Sequence, residues 1–278
     1  MIELSLVTAT HGRLESLHRL LDSLLLQTVD DFELIIVDQN PKHFLDSIIV
    51  RLKDQSFPYQ YYRLEEPSQH VARTLGLAKA RGNLIGFPDD DCWYDRYTTE
   101  GVIKTFRELA PDVVIARWPQ RGDKVTECEL KWSEIKRFQS GAESMIVQFY
   151  RTSLVREVGG FSSEFGIGTW YGGAEDTDLL FSVAKLGCKI VSMPDVVVHH
   201  PVASDDGARG DLSSLRIRAR GTGAIYAKHK LSAFVVIRGL LGPILQPILT
   251  AQLGSHIRRG WQLSMGRAEG YLKWLRKE

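Results

Sequence analysis

The sequence predicts an α/β protein: a mixed, mainly parallel sheet flanked by helices, followed by a helical C-terminal extension. Three observations predict it. Apolar runs of strand length alternate with segments of helical period from residue 3 to residue 198, the pattern of strands joined by crossover helices. Two of those runs end in carboxylates, at Asp38 and at Asp89-Asp90-Asp91, and an open sheet of this kind keeps its ligand crevice at that edge. The charge also changes sign along the chain. Residues 1–206 carry 22 Lys and Arg against 31 Asp and Glu, a net of −9, whereas residues 207–278 carry 13 against 3, a net of +10.

Glu3–Ala9 reads as the first strand. Leu14, Leu17, Leu20, Leu21, Leu24 and Leu25 recur at helical spacing and predict a helix over Arg13–Gln27. Phe32–Val37 is a second strand ending at Asp38. A helix around His43–Lys53 leads to a third strand near Tyr59–Leu64, and a helix over Gln69–Ala80 precedes the run Leu84–Pro88. Asp95–Leu109 reads as helix and Asp112–Arg117 as strand. Residues 118–142 are polar and irregular, with Trp118 and Trp132, and read as a substrate-facing insertion. Glu143–Tyr150 is strand-like, and Val158-Gly159-Gly160-Phe161 marks a tight turn. The glycine-rich stretch Gly166–Gly173 holds Trp170 and Tyr171 and opens onto Glu175-Asp176-Thr177-Asp178 and a helix over Leu179–Leu186. Lys189–Met193 and Val196–Val198 are strands, the second ending in His199-His200.

Ala203–Arg209 reads as a linker and Leu212–Lys230 as a basic helix. Leu231–Leu253 is apolar but interrupted by Arg238, Pro243 and Pro247. A central arginine costs about 2.5–3.5 kcal/mol on insertion scales. An interfacial element or helical hairpin is therefore favoured over a bilayer span, with packing against the catalytic domain or between copies in a homo-oligomer as the rival. His256–Glu278 mixes cations with Trp261, Tyr271 and Trp274, which suits a headgroup interface. An anionic membrane surface is the expected partner of this tail. Nucleic acid is not, because no recognised binding module is present. Cys92, Cys128 and Cys188 are widely spaced and odd in number, which argues against a disulfide framework or zinc site and for a reducing compartment. Met1–Leu4 runs straight into a strand without the succession of a signal peptide. The expected location is cytoplasmic, peripheral on the inner membrane face. The 44% hydrophobic and 25% charged composition is that of a globular protein.

Asp89 and Asp91 are two apart and share a side in extended chain, where their charges repel unless a cation lies between them. A hard, oxygen-seeking ion such as Mg²⁺ or Mn²⁺ fits, and such ions bring substrate phosphates with them. Glu175 and Asp176 lie at the mouth of a glycine loop, where catalytic groups are often held, while Asp178 reads as a helix-dipole complement or cap. Adjacent His199 and His200 point opposite ways in extended chain, so one can reach a metal or diphosphate while the other packs. Trp93, Trp170 and Tyr171 are candidates to meet sugar or acceptor, the tryptophans by stacking on sugar faces, with core or loop anchoring as the plainer role.

Ser5–Arg13, Ile36-Val37-Asp38, Val71–Ala78 and Phe87–Asp91 together resemble the opening of family-2 glycosyltransferases of GT-A fold, a Rossmann-like sheet, in its bacterial type. Val158–Phe161, Glu175-Asp176 and His199-His200 resemble that family's second half, so the matches run from residue 3 to residue 201. The resemblance implies an inverting sugar transfer from a nucleoside-diphosphate sugar, usually with Mg²⁺ or Mn²⁺, to a glycan or lipid-linked acceptor. It implies that Asp38 recognises the nucleobase, commonly uracil, and that Thr8, Thr10 and Arg13 line the nucleotide pocket. It places Arg73 on the nucleotide side, makes Asp89 and Asp91 the ribose- and metal-binding pair with Asp90 between them, and makes Asp176 the general base, with Glu175 second. His199 or His200 completes the metal site. The chain departs from the family at His11-Gly12, Gln39-Asn40, Thr74 and Ser162, which bear on the nucleobase and sugar more than on the chemistry. The implied organisation is a catalytic domain over residues 1–206, nucleotide-binding over about 1–117 and acceptor-binding over about 118–206, then a tail over 207–278. Two other readings use the same residues: a catalytically silent nucleotide-sugar-binding scaffold, and a metal-dependent nucleotidyltransferase.

Overall fold

The computed structural model describes residues 1–53, 55–122, 126–138, 142, 144–201, 212–250 and 254–277. In chain order the elements are β1 (Leu4–Thr10), α1 (Leu14–Leu25), β2 (Phe32–Asp38), α2 (Asp46–Leu52), β3 (Tyr59–Arg63), α3 (Gln69–Lys79), β4 (Leu84–Gly86), β5 (Trp93–Tyr94), α4 (Thr98–Leu109) and β6 (Val113–Arg117). Next come β7 (Cys128–Glu129), α5 (Trp132–Ile135), β8 (Gln148–Arg151), α6 (Thr152–Glu157), α7 (Glu175–Ala184) and β9 (Ile190–His199). Three helices close the chain: α8 (Leu212–Lys228), α9 (Ala233–Leu249) and α10 (Ser255–Leu275).

The strands order as β3-β2-β1-β4-β8-β6-β9-β5, with β7 also on β9. β1, β2, β3 and β4 pair in parallel, as do β6 and β9, and β8 runs antiparallel between β4 and β6. All of β2 is buried, as expected of a strand covered on both faces. α1 covers the sheet with Leu17, Leu20, Leu21 and Leu24, the stripe its spacing predicts. Ser68 caps α3 by accepting from the Val71 amide, and Gly76 lets that helix close on β1, because a Cβ there would collide with Val7.

Glu33, fully buried in β2, sits beside Ser5 of β1 in parallel register. It accepts from Ser5 Oγ at 2.7 Å, Gln60 Nε2 at 2.9 Å, and the Arg81 amide and Nε at 2.8 Å each. Burial alone would raise its carboxyl, but the bonds from Ser5, Arg81 and Gln60 outweigh burial and hold it below the ordinary 4.5. That stabilisation is present above the unfolded value and is lost as pH falls through the lower folded one. Glu33→Gln should therefore cost about 2–3 kcal/mol at neutral pH and flatten the acid limb of the stability curve. Urea unfolding of both proteins at neutral and acid pH checks this, and equal loss at both would refute it.

The chain divides into two compact units, Met1–Phe161 with Ser182–Val202, and Ser162–Phe181 with Ala203–Glu278. In this division the glycine-rich stretch groups with the residues after 202. In the second unit α8 and α10 approach closely through glycines: a Cβ at Gly223 would meet the Arg267 carbonyl, and one at Gly270 the Arg220 carbonyl. Glu269 of α10 pairs with Arg216 and Arg220 of α8. α9 is one helix of 17 residues with Pro243 and Pro247 inside it, not a hairpin. Among the described residues no helix is long and apolar enough to cross a membrane. The expected linker at 203–209 and the end of the apolar segment, 251–253, lie outside the described residues.

Candidate active site

β4 is short, so Asp89, Asp90 and Asp91 lie beyond it, in a turn closed by the Cys92 amide on the Asp89 carbonyl. The sequence placed these carboxylates together by extended-strand alternation; a turn does it instead. One ligand atom each from Asp89, Asp91 and His200 lies within 4.8 Å of the others, the one such group among the described residues. His200 Nε2 is 2.9 Å from Asp91 Oδ1. His199 instead receives Gln120 Nε2 at Nδ1, 2.7 Å away, sits 3.3 Å from Asp95, and stacks on Trp93 with ring centroids 5.3 Å apart. β5 pairs Trp93 with His199 antiparallel, and Trp118 Nε1 donates to the His200 carbonyl, so β5 and the segment after β6 together fix the histidines. Two carboxylates and an imidazole are a donor set that fits a divalent cation of the Mn²⁺ or Mg²⁺ kind.

Basic side chains meet every member of the acidic triplet. Arg13 Nη1 lies 2.5 Å from Asp91 Oδ2 and 3.1 Å from Asp90 Oδ1, and buried Arg73 lies 3.1 Å from Asp89 Oδ1. Burial would raise the Asp91 carboxyl, yet His200 and then Arg13 outweigh it and leave it low. Burial would lower the His200 imidazole, and Asp91 overrides that and raises it above 6.5. Asp90 is the opposite case. Burial pushes it up, and the Thr10 hydroxyl and Arg13 offset this only in part.

Asp38, at the end of β2, is buried and already engaged. Its Oδ1 accepts from the Asn40 amide at 2.8 Å and from Asn40 Nδ2 at 2.7 Å, and its Oδ2 accepts from the Tyr61 hydroxyl at 2.6 Å. Burial and then Asp38 push the Tyr61 phenol up to about 12. Thr8 is fully buried in β1, its hydroxyl without a hydrogen-bond partner. Neither Tyr61 nor Arg19, which donates to the Asp91 carbonyl and lies 4.1 Å from the Trp93 ring centre, was legible in the sequence. Trp93 thus already carries His199 and Arg19 on its ring.

In the second unit, α7 starts at Glu175, so Glu175 and Asp176 occupy its first turn rather than the loop before it. Ala174, at φ +74°, makes the sharp entry. Asp178 has a different role from a helix cap: it is 3% exposed and holds α8 through His229 Nε2 at 2.8 Å and Lys228 Nζ at 2.7 Å. Tyr171 is buried against Phe165 and Trp274, which makes it a core anchor. Trp170 is partly exposed, with Lys273 Nζ at 3.8 Å and the Arg220 guanidinium at 4.5 Å from its ring centre.

A sheet of this order with acids beyond its central strands matches known proteins. The family model described as "Glycosyl transferase family 2" covers residues 5–163. The chain belongs to glycosyl transferase family 2. It is 31% identical over 109 residues to the uncharacterized glycosyltransferase YwdF of Bacillus subtilis (strain 168), covering 39% of this chain and 38% of that protein. The chain spans only 15% and 38% of the lengths of the curated relatives it matches. Among solved structures it resembles the mannosyltransferase PcManGT from Pyrobaculum calidifontis in complex with GDP-Man and Mn²⁺, with a TM-score of 0.67, 15% identity, and 99% of this chain and 88% of that one covered. It also resembles S. aureus TarS 1-349 in complex with UDP-GlcNAc, with a TM-score of 0.64, 16% identity, and 97% and 92% covered. At such identities the likeness establishes the GT-A fold.

Proposed function

We propose that the chain is an inverting glycosyltransferase that moves a sugar from a nucleoside-diphosphate sugar to a hydroxyl on a lipid-linked or polysaccharide intermediate of the cell envelope. The observation that carries this is the Asp89, Asp91 and His200 cluster just beyond a central strand, in a chain of glycosyl transferase family 2. In this reading the acceptor oxygen bonds to the anomeric carbon while the bond from that carbon to the diphosphate breaks on the opposite side. The electron pair leaves with the diphosphate, and Asp176, with Glu175 second, takes the hydroxyl proton as general base. The chemistry a divalent cation supplies, held by Asp91, Asp89 and His200, is stabilisation of the charge growing on the diphosphate. The imidazole tilts the choice toward Mn²⁺, because Mg²⁺ prefers oxygen ligands. Arg13 and Arg73 are placed to meet the nucleotide's phosphates, with Thr8, Thr10 and Asp90 lining its pocket. Trp93 and Trp170 are the aromatic groups assigned to the sugar and acceptor side, and Tyr171, a core anchor, contributes only by packing edge-on against Trp170.

The test is a panel of nucleoside-diphosphate sugars incubated with and without Mn²⁺, followed by identification of what is released. A nucleoside diphosphate supports the reading. Pyrophosphate would mean nucleotidyl transfer, and binding without release a silent scaffold. In direct competition a uridine donor should be used first, because the Asp38 carboxylate accepts from the imide N–H of uracil. PcManGT and TarS differ in nucleobase, GDP against UDP, so the fold does not decide it. Preference for a guanosine or thymidine donor would reject the uridine assignment.

The +10 tail and the apolar, partly exposed α9 support a peripheral place on the cytoplasmic face of an anionic membrane, near a lipid-linked acceptor. Association of two copies through the tail is the rival.

A further inference from the structure

α9 is packed on one side only. Val235 and Val236 are buried, Arg267 Nη1 of α10 donates to the Gly239 carbonyl at 2.6 Å, and a Cβ at Gly239 would strike the Tyr226 hydroxyl. On the other side Phe234, Ile237, Leu241, Leu245 and Ile248 are 67%, 56%, 49%, 48% and 51% exposed. At 3.6 residues per turn these five positions fall within an arc of about 80°, a continuous stripe roughly 21 Å long. Single exposed leucines are ordinary, but an aligned run of five large side chains marks an interaction face.

The charges around this stripe say what kind of partner it fits. No acidic residue lies on α9 or in the first turns of α10. Arg238 borders the stripe on α9, and His256, Arg258 and Arg259 begin α10. Trp261, 52% exposed, follows them, beside the glycine that meets the Pro243 carbonyl of α9. An apolar ridge flanked by cations and an exposed tryptophan is the composition of a helix lying in a headgroup layer. A second copy is a poorer occupant. The stripe offers on the order of 200 Å² from its length and a helix width of about 10 Å, against about 800 Å² per partner in a stable interface. Two copies would also bring like charges together.

We propose that the outer face of α9 inserts into the headgroup and upper acyl region of an anionic bilayer, so that the second unit is held by burial of apolar side chains as well as by charge. This rests on the reading that the tail meets an anionic membrane. Insertion and adsorption by charge respond differently to salt. At about 1 M NaCl the Debye length is about 3 Å and charge attraction to a surface is largely screened, whereas burial of leucine persists.

The experiment floats the full chain, and the double variant Leu241→Ser/Leu245→Ser, with vesicles of phosphatidylcholine and phosphatidylglycerol mixed about two to one. Flotation is measured at low salt and at about 1 M NaCl. Both positions are half exposed, so the variant should unfold at the same temperature as the parent. Both proteins are expected to float at low salt. At high salt the parent stays bound, and the variant's partition falls by about tenfold or more. Release of the parent by salt would overturn insertion while leaving adsorption to the membrane intact. Equal retention of the variant at high salt would overturn the assignment to this face. If neither floats even at low salt, the membrane reading fails and takes the inference with it. A concentration-dependent dimer that the variant abolishes, seen by sedimentation equilibrium, would then make α9 an interface between copies.

Discussion

Asp91→Asn should lower turnover of the best donor by about a thousandfold and remove its dependence on divalent ions. Asp91 belongs to the Asp89 and His200 cluster and contacts both His200 and Arg13, so it is the residue through which charge in this pocket is organised. An asparagine keeps the shape but loses the negative charge that would draw in a cation. The measurement is turnover across a Mn²⁺ titration and after chelation, beside direct Mn²⁺ binding followed by electron paramagnetic resonance. Unchanged turnover and unchanged Mn²⁺ binding would remove Asp91 from the metal site. Lost turnover with intact Mn²⁺ binding would move the residue's role to the nucleotide.

Asp176→Asn is expected to lower transfer by about 10²–10⁴-fold while leaving nucleotide affinity where it was. A base acts on the acceptor hydroxyl and need not touch the donor's nucleotide. Calorimetry of the nucleoside diphosphate complex, run beside a transfer assay, separates the possibilities. Transfer at the parent's rate would exclude Asp176 as base and turn attention to Glu175, its neighbour in the first turn of α7. Loss of nucleotide binding together with transfer would make the residue structural. Asp178, two positions on, is the internal control: it ties α7 to Lys228 and His229, so its replacement should act on stability.

What could be read in the sequence was what local spacing determines. The leucines of α1 and the apolar run of β2 reveal themselves because period and burial go together. The acidic triplet stood out because three carboxylates follow one apolar strand. What could not be read depends on partners distant in sequence. β8 runs antiparallel because it returns between β4 and β6, which no local pattern encodes. The choice of His200 over His199 comes from β9 pairing with β5, which turns His199 onto Trp93. β9 itself was read as two strands, because Pro194 interrupts the pattern where the structure has a bulge: Met193 pairs with Ala116 but Val197 with the next residue, Arg117. Asp38 showed its position at a strand end but not its engagement by Tyr61 on the neighbouring strand. Asp178 resembled any acid at a helix start until α8 supplied a histidine and a lysine.

Arg13, Arg73 and His200 leave the acidic triplet close to electrically balanced when the imidazole is protonated. A cation arriving alone must compete with these resident partners and gains little net attraction. A diphosphate arriving alone meets arginines already committed to aspartates. In the proposed function, arrival of both would let the cation take over the carboxylates as the arginines turn to the phosphates, so each ligand would remove the other's competitor. Thermodynamic reciprocity then requires each to raise the other's affinity by the same factor. If the proposed cation and nucleotide sites hold, this near-neutrality would make the pocket a coincidence detector, weak toward either ion by itself and strong toward the pair.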